Sequence, residues 1–511
     1  MSLICVTLAC TDPDELRARH NALIAEGCKL VEYRLDFLPN NCDVRTLVSW
    51  RSGPIIATVR RPEDGGRWTG DEEVRRNLLR AAVAAGAEYV DFEPDAAVAI
   101  PREETTALSA TRQGPPTQRI VSMHDFKQTP ADLGAIHARL AACEADVVKL
   151  AVMAERATDV FRVLRLMREA ALPTVGLCMG EFGLPSRVMG AAFGAPFSYS
   201  APSDGEAVAP GQIGFQRMRD LYRYESITAA TPFYAVIGDP IGHSKSPLIH
   251  NAALEATNGE GCYVPFRVAP DDLKEFLIEA PAFGLRGLSI TIPHKEAAMA
   301  RATKLDPAAA AIGAMNTLVF ANSEEAERFQ AFGYNTDEPG AMESLEAVAG
   351  GAGSLAGKKA LVLGAGGAAR GIVYGLVQRG VNTTVVNRNL GRAQDLATGL
   401  GCRAVPWDER GDVEYDLLIN CTPLGMHPKV DDTPLDKSSL RRGTIVFDTV
   451  YNPVETRLLR EARERGCTIV VGTEMFLRQA AWQFRYFTGC SSESMSVALA
   501  VMRAALKNTQ A

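Results

Sequence analysis

Eight short apolar runs crowded into the first 224 residues, each followed by a helix-like stretch, constrain the fold of this chain more than anything else in it. They are LICVTLA from Leu3, LVEYRLDFL from Leu30, IIATVR from Ile55, YVDFEP from Tyr89, RIVSMHDF from Arg119, VVKLAVM from Val147, TVGLCM from Thr174 and PFSYSA from Pro196. Parallel strands with helices between them are buried on both faces, so they read as near-continuous Val/Ile/Leu runs. Eight such units in one span predict a (β/α)8 TIM barrel, whose usual length is about 250 residues. The barrel is expected to fill residues 1–224.

The charges inside those runs are the informative exceptions. Glu32, Arg34 and Asp36 alternate along one strand, and period-two geometry puts them on one face. Arg60 closes the third strand, Asp91 and Glu93 sit in the fourth, His124 in the fifth and Lys149 in the sixth. Barrel active sites form at the C-terminal ends of strands, so this many charges at one mouth read as chemistry rather than as structural ion pairs. Lys149 is flanked by Val147, Val148, Leu150 and Val152. Loss of hydration there is expected to lower the amine's pKa and free a nucleophile able to form a Schiff base with a ketone. The plainer alternative is a lysine that snorkels out to solvent or pairs with Glu32 or Glu93. His124 supplies a group that titrates near neutrality, as a general acid or base needs.

After a short linker at 225–232 without a Gly/Ser run, strands and helices alternate again. In YAVIGDPIGHSKSPLIHN (Tyr234 to Asn251) a strand meets a polar loop and then a helix, with Ser246 expected as N-cap and Pro247 as first helical residue. Lys295 follows SITIPH and is expected to begin a helix, where it opposes the macrodipole; Asp337 opens another. The two suit a proton-transferring pair, although an aspartate there is often only a cap. KKALVLGAGGAARGIVYGL then places Gly364, Gly366 and Ala369, with Ala365, Gly367 and Ala368 between them, directly after an apolar strand and at the start of a helix. That context makes G-x-G-x-x-A a Rossmann dinucleotide fingerprint. The next strand ends in Asn387 and Arg388, with Arg392 beyond, and no acid stands where NAD enzymes hold the ribose. NADP is the expected cofactor.

Composition closes off other classes. A net charge of −7 argues against nucleic acid as a partner, and no run of 18 apolar residues suggests a membrane span. The 11 cysteines are odd in number and scattered without C-x-x-C, as reduced thiols are, and no metal site is expected. The N-terminus has no basic region leading into an apolar core, so a cytoplasmic location is expected. Oligomeric state is not legible.

EYRLDFL, TVRR with a following GG, SMHDF, VVKLAVM, GLPSRVMG and APGQI fall in family order and resemble the type I 3-dehydroquinate dehydratases. The resemblance implies metal-free dehydration of 3-dehydroquinate to 3-dehydroshikimate. Lys149 would form the imine, His124 would remove the α-proton, and Glu32, Arg34 and Arg60 would hold the ring. Arg187 and Gln212 would meet the carboxylate and hydroxyls. Two positions depart from the pattern: Asp64 stands where the family usually has glutamate, and Val208 where it has a hydroxyl residue.

GDPIGHSKSPLIHN, SITIPHKEA, GAMNTL, GYNTD, VLGAGGAARG, VNRNLGRA, NCTPLGM, YNPVET and MFLRQAAWQF closely resemble the shikimate dehydrogenases. This implies NADPH-linked reduction of 3-dehydroshikimate to shikimate by a two-domain α/β dehydrogenase, with Lys295 and Asp337 catalytic. Ser244, Ser246, Thr291, Asn316, Tyr451 and Gln479 would contact substrate. Thr449 and Gly472 would join the cofactor site, Gly472 near the nicotinamide. The implied architecture is a substrate domain at 233–335, a Rossmann domain at 336–474, and helices at 475–511 returning to the substrate domain. Quinate as the second substrate, a metabolite-binding regulator without catalysis, and a barrel of class I aldolase type remain the alternatives.

Overall fold

The computed structural model describes residues 2–111, 114–321 and 329–508, which form two compact units. The first unit comprises Met1–Phe233, Asp239–Ser244 and Glu260–Gly284. All eight runs are strands: β1 (Leu3–Leu8), β2 (Leu30–Arg34), β3 (Ile55–Thr58), β4 (Tyr89–Phe92), β5 (Gln118–Asp125), β6 (Val147–Met153), β7 (Thr174–Met179) and β8 (Phe197–Ser200). They pair in parallel in the order β7-β6-β5-β4-β3-β2-β1-β8, a nearly closed barrel with β7 and β8 at the ends of the ladder. Local signals agree with the fold. The helix Glu72–Ala85 opens on Asp71, whose carboxylate accepts from Glu73 and Val74 N–H, and stops at Gly86, whose φ of 94° suits glycine.

After β8 the chain stays pinned to the barrel: Tyr224 is buried with its hydroxyl 2.8 Å from Ser2 Oγ, and Lys29 pairs with Glu225 at 2.5 Å. Strand β10 (Cys262–Arg267) and the helix Leu273–Glu279 join this unit through an aromatic cluster. The Phe161 ring, on the helix Ala157–Glu169, stacks on Phe283 at 4.6 Å and Phe276 at 5.2 Å, with Phe266 at 5.8 Å. Arg156–Asp272 and Arg165–Glu279, both at 2.7 Å, flank it.

The second unit comprises Tyr234–Gly238, Lys245–Gly259 and Leu285–Ala511, of which 509–511, the end of the expected helical tail, lie outside the described residues. One sheet is ordered β9 (Phe233–Gly238), β11 (Leu285–Ile290), β13 (Thr317–Ala321), β14 (Gln330–Tyr334) and β12 (Lys304–Leu305), with antiparallel pairs on both sides of β13. The other is wholly parallel, in the order β17 (Arg403–Pro406), β16 (Asn382–Asn387), β15 (Lys359–Leu363), β18 (Leu417–Asn420), β19 (Ile445–Asp448) and β20 (Thr468–Val470). That 3-2-1-4-5-6 order reverses beside β15, where such sheets bind dinucleotides. The helix Gly472–Thr488 runs back to β11 and β13: Gln483 accepts from Ser289 Oγ at 2.7 Å and donates to Asn316 O at 3.0 Å.

Three local expectations need correction. The helix Ser246–Ala256 starts at Ser246 itself, so the cap position falls on Lys245, which makes no side-chain cap bond. Lys295 lies in a turn, and the element after it is a 3-10 helix, Ala297–Arg301, too short and too tight for the expected α-helix. The returning helix begins at Gly472, three residues before Met475, with Gly472 packed against the backbone of Thr449 and Val450.

Candidate active sites

All seven barrel residues expected at the site line one cavity: Glu32, Arg34, Arg60, His124, Lys149, Arg187 and Gln212. Parallel register sets the first layer. Thr7 stands opposite Glu32, and Thr7 and Thr58 each donate to its carboxylate at 2.8 Å. Arg34 grips Asp36 with two bonds, at 2.9 and 2.7 Å, and donates to Gly65 O at 3.2 Å. Asp36 also accepts from Arg67 N–H, so this ion pair holds the loop after β3 at the mouth. The loop needs its glycine pair. Gly65 has φ 83°, and a Cβ on Gly66 would lie 1.9 Å from Arg60 O.

The centre of the cavity is Asp91. Its Oδ2 accepts from Lys149 Nζ at 2.9 Å and from Arg60 at 2.6 Å, and its Oδ1 accepts from Ser122 Oγ at 2.5 Å. Lys149 therefore does not lie among aliphatic side chains alone, as its flanking sequence suggests. Glu32 is 4.0 Å from the amine, whereas Glu93 turns away to Arg75 at 2.5 Å. Burial alone would raise the Asp91 pKa, but Arg60, Lys149 and Ser122 outweigh it and hold the carboxyl below its ordinary range. His124 is pushed well below its usual value, first by burial and then by Arg60, Lys149 and Arg34. Arg60 Nη1 lies 2.6 Å from His124 Nδ1 and 2.9 Å from Nε2, and a guanidinium can only donate, so the imidazole accepts.

Arg187 is 1% exposed, donates to Pro210 O at 3.1 Å, and has no carboxylate within ion-pair distance among the described residues. Burial pushes its pKa down to about 10, the mark of a cation awaiting an anion. Gln212 turns its carboxamide oxygen to the Val208 and Ala209 N–H groups, at 2.9 and 3.2 Å. The two departing residues, Asp64 and Val208, line the same cavity, and Asp64 is drawn to Arg61 at 3.2 Å.

In the second unit Lys295 donates to Asp337 Oδ2, and Asp337 Oδ1 accepts from Asn316 Nδ2 at 2.9 Å. The Asn316 oxygen accepts from Thr336 N–H and Thr317 Oγ1, both at 2.8 Å, so its carboxamide fixes Asp337 from one side. Gln479 approaches Asn316 and Thr336 at 3.5 Å. Thr291 is half-buried, held by a 3.0 Å bond from its N–H to Ile237 O. Ser246 is buried, and Tyr451 is 40% exposed and stacked on Phe476 at 5.0 Å. Ser244 belongs to the first unit, half-buried in the Asp239–Ser244 turn with its N–H on Ile241 O at 3.0 Å.

A dinucleotide fits the residues around β15. Gly364 has φ 115° and lies against the Cys421 backbone, while a Cβ on Gly366 would meet nothing within 4 Å. Backbone N–H groups from Ala365 to Ala368 thus stand at the open N-terminus of the helix Gly367–Gln378, the arrangement that holds pyrophosphate. A Cβ on Gly367 would approach Lys295 Cδ at 3.1 Å, so the glycine lets the phosphate loop and the lysine adjoin. At the end of β16, Asn387 donates to Asn389 O, and Arg388 and Arg392 are exposed and absent from the ion pairs of the described residues. Two free guanidinium groups and no acid suit a 2′-phosphate. Thr449 donates to Asn420 O at 2.9 Å, and a Cβ on Gly472 would strike Val450 O at 2.4 Å.

Reasoning from sequence assigned no role to Asp91, Ser122, Tyr199, Thr336 or Gln483. Only Asp91 carried a signal, as a charge inside a buried run.

Family models match along the chain: type I 3-dehydroquinase over residues 4–229, shikimate dehydrogenase substrate binding domain over 236–318, and shikimate/quinate 5-dehydrogenase over 346–428. The bifunctional 3-dehydroquinate dehydratase/shikimate dehydrogenase of Arabidopsis thaliana, a chloroplastic protein, is 36% identical over 96% of this chain and 82% of its own length. The NADP(+) shikimate dehydrogenase of Methanosarcina mazei is 42% identical over 50% of this chain and 92% of its own. Among solved structures, shikimate 5-dehydrogenase from Thermus thermophilus with NADP(H) and shikimate is 36% identical, with a TM-score of 0.48, covering 54% of this chain and all of that one.

Proposed function

The chain belongs to the family of bifunctional 3-dehydroquinate dehydratase/shikimate dehydrogenases, and we propose that Lys149 and His124 carry its first reaction and Lys295 and Asp337 its second. It dehydrates 3-dehydroquinate and reduces the product, 3-dehydroshikimate, to shikimate with NADP as cofactor. We assign the dehydration to residues 1–224, the reduction to 233–335 with the returning helices of 475–511, and nucleotide binding to 336–474, with 225–232 as the join.

In the barrel, Lys149 Nζ adds to the C3 carbonyl and water leaves, giving an iminium. Neutral His124 takes the C2 proton, and the electron pair moves into an enamine with the iminium nitrogen as sink. The enamine then expels the C1 hydroxyl, which leaves as water with the proton from His124. A second water hydrolyses the iminium and frees Lys149. Arg187 meets the substrate carboxylate, while Glu32, Arg34, Arg60 and Gln212 orient the ring hydroxyls. The observation that carries this reading is a buried lysine, a histidine held neutral and an arginine with no carboxylate at ion-pair distance among the described residues, all lining one cavity.

In the second unit, NADPH when bound supplies the hydride for C3. Lys295 gives the developing alkoxide its proton, and Asp337, fixed by Asn316, orients the lysine. Ser246, Thr291, Asn316, Tyr451 and Gln479 hold the substrate. Arg388, Arg392 and Asn387 would hold the 2′-phosphate and Gly364 to Ala368 the pyrophosphate; Thr449 and Gly472 would complete the cofactor site, Gly472 near the nicotinamide.

Small molecules are its partners, and among the described residues no helix is long and apolar enough to cross a membrane. Eleven free cysteines support a reducing compartment, which we take to be the cytoplasm. NADPH absorbance after adding the protein to 3-dehydroquinate alone tests both activities. The cofactor is expected to be oxidised; no oxidation, even with 3-dehydroshikimate supplied, would overturn the dehydrogenase assignment.

A further inference from the structure

Among the side chains of the barrel cavity that have no role in the steps above, one lies against the reacting amine. Tyr199, on β8, is 3% exposed and lines the cavity, and Lys149 Nζ lies 4.1 Å from its ring centroid. Edge-to-face packing on Phe197, centroids 5.6 Å apart, sets the ring. Its hydroxyl finds no hydrogen-bond partner among the described residues. Packing alone is served by phenylalanine, as at Phe197, and an unpaired buried hydroxyl is destabilising, so the phenol calls for a ligand.

The amine's other neighbours sharpen the case. Around Lys149 stand Cys5 on β1, Glu32 on β2, Arg60 just after β3, Asp91 on β4 and His124 on β5. The carboxylate nearest the amine is shared with Arg60. An aromatic face adds negative potential beside a cation without adding a proton acceptor, so it favours a positive nitrogen without competing for its proton.

We propose that Tyr199 is a further catalytic residue of the dehydration: its ring face stabilises the iminium at Lys149 Nζ, and its hydroxyl bonds the substrate. The proposal rests on the Schiff-base reading. A protonated iminium is the electron sink that removal of the C2 proton requires, whereas a neutral imine is a poor one. Favouring the cation extends the pH range in which the intermediate reacts, and no bond to Tyr199 forms or breaks.

The test uses the full chain as wild type, Tyr199→Phe and Tyr199→Leu, with borohydride trapping on 3-dehydroquinate mapped by peptide across pH. Tyr199→Phe is expected to keep kcat and the trapping profile, while KM rises about tenfold for the lost hydrogen bond. Tyr199→Leu is expected to lose kcat by about 10- to 30-fold, with trapping falling away at lower pH than in wild type. Because the phenylalanine variant restores the ring, loss in the leucine variant alone locates the effect in the π face. A leucine variant with wild-type kcat and trapping profile would overturn the ring's role, and a wild-type KM in Tyr199→Phe the hydroxyl's. No adduct on Lys149 in wild type would overturn the Schiff-base reading itself, and this inference with it.

Discussion

Lys149 and Lys295 each donate to an aspartate, but their surroundings differ. The Lys149–Asp91 side chains are 6% and 0% exposed, and Asp91 also takes Arg60 and Ser122. The Lys295–Asp337 side chains are 15% and 7% exposed, and the second oxygen of Asp337 takes a neutral carboxamide. In the barrel, one carboxylate serves two cations, and the neighbouring imidazole is held neutral by burial and positive charge. In the second unit, one carboxylate serves one lysine beside an open phosphate loop. The same two residue types thus suit a nucleophile in one place and a proton donor in the other, because the third and fourth neighbours differ. Anchoring follows the same contrast: Arg187 is buried with no carboxylate partner among the described residues, whereas Arg388 and Arg392 stand exposed.

The largest break in this comparison is expected from Lys149→Ala. Dehydration should fall by about 10⁴-fold or more, since the covalent route is lost, with reduction of 3-dehydroshikimate unchanged. Separate assays of the two half-reactions check this; equal loss in both would contradict the division. Asp337→Asn should lower kcat of reduction by roughly 10²- to 10⁴-fold while leaving dehydration intact, because only proton transfer is impaired. Arg388→Ala should raise KM for NADPH by about 10- to 100-fold, the loss of charge-assisted bonds to a phosphate. Rising salt should act in the same direction but less, since the screening length shrinks from about 10 Å at 0.1 M to about 3 Å at 1 M. KM for 3-dehydroquinate, anchored by buried Arg187, should respond little; equal salt sensitivity in both halves would erase the contrast.

The smallest effect concerns pH. A base works while unprotonated, and His124 is held well below its usual value, so dehydration should persist as pH falls through 6.5. Arg60→Gln should move the acid limb upward by removing the second-largest cause. Burial, the largest, should keep it under the ordinary histidine value. The pH profile of kcat/KM for dehydration reads this directly; an acid limb at 6.5 in wild type would contradict a His124 held below its usual value.

Much of this was legible in the sequence, for physical reasons. Barrel strands are buried on both faces, so they announce themselves as apolar runs, and the charges within them marked the mouth. The phosphate loop was legible because glycine alone suits the φ of Gly364. Asp91 and Glu93 share a face by period two, yet β4 ends at Phe92, so Glu93 turns to Arg75 while Asp91 meets Lys149. That separation depends on where a strand stops, which local pattern fixes poorly. Tyr199 carried no signal in the sequence because its partner, Lys149, lies on a different strand, β6. The Asn316 network likewise joins β13, the turn before Asp337 and the helix Gly472–Thr488, and no local pattern announces it. Lys295 was misread as a helix start because EAAMARA has helical composition, although the chain there makes only a 3-10 helix.

The contrast between the two lysines is tested most directly by borohydride reduction of the wild-type protein with 3-dehydroquinate, followed by peptide mapping. A substrate adduct on Lys149, with Lys295 unmodified, is the predicted result. An adduct on Lys295, or no adduct while dehydration proceeds, would contradict the account.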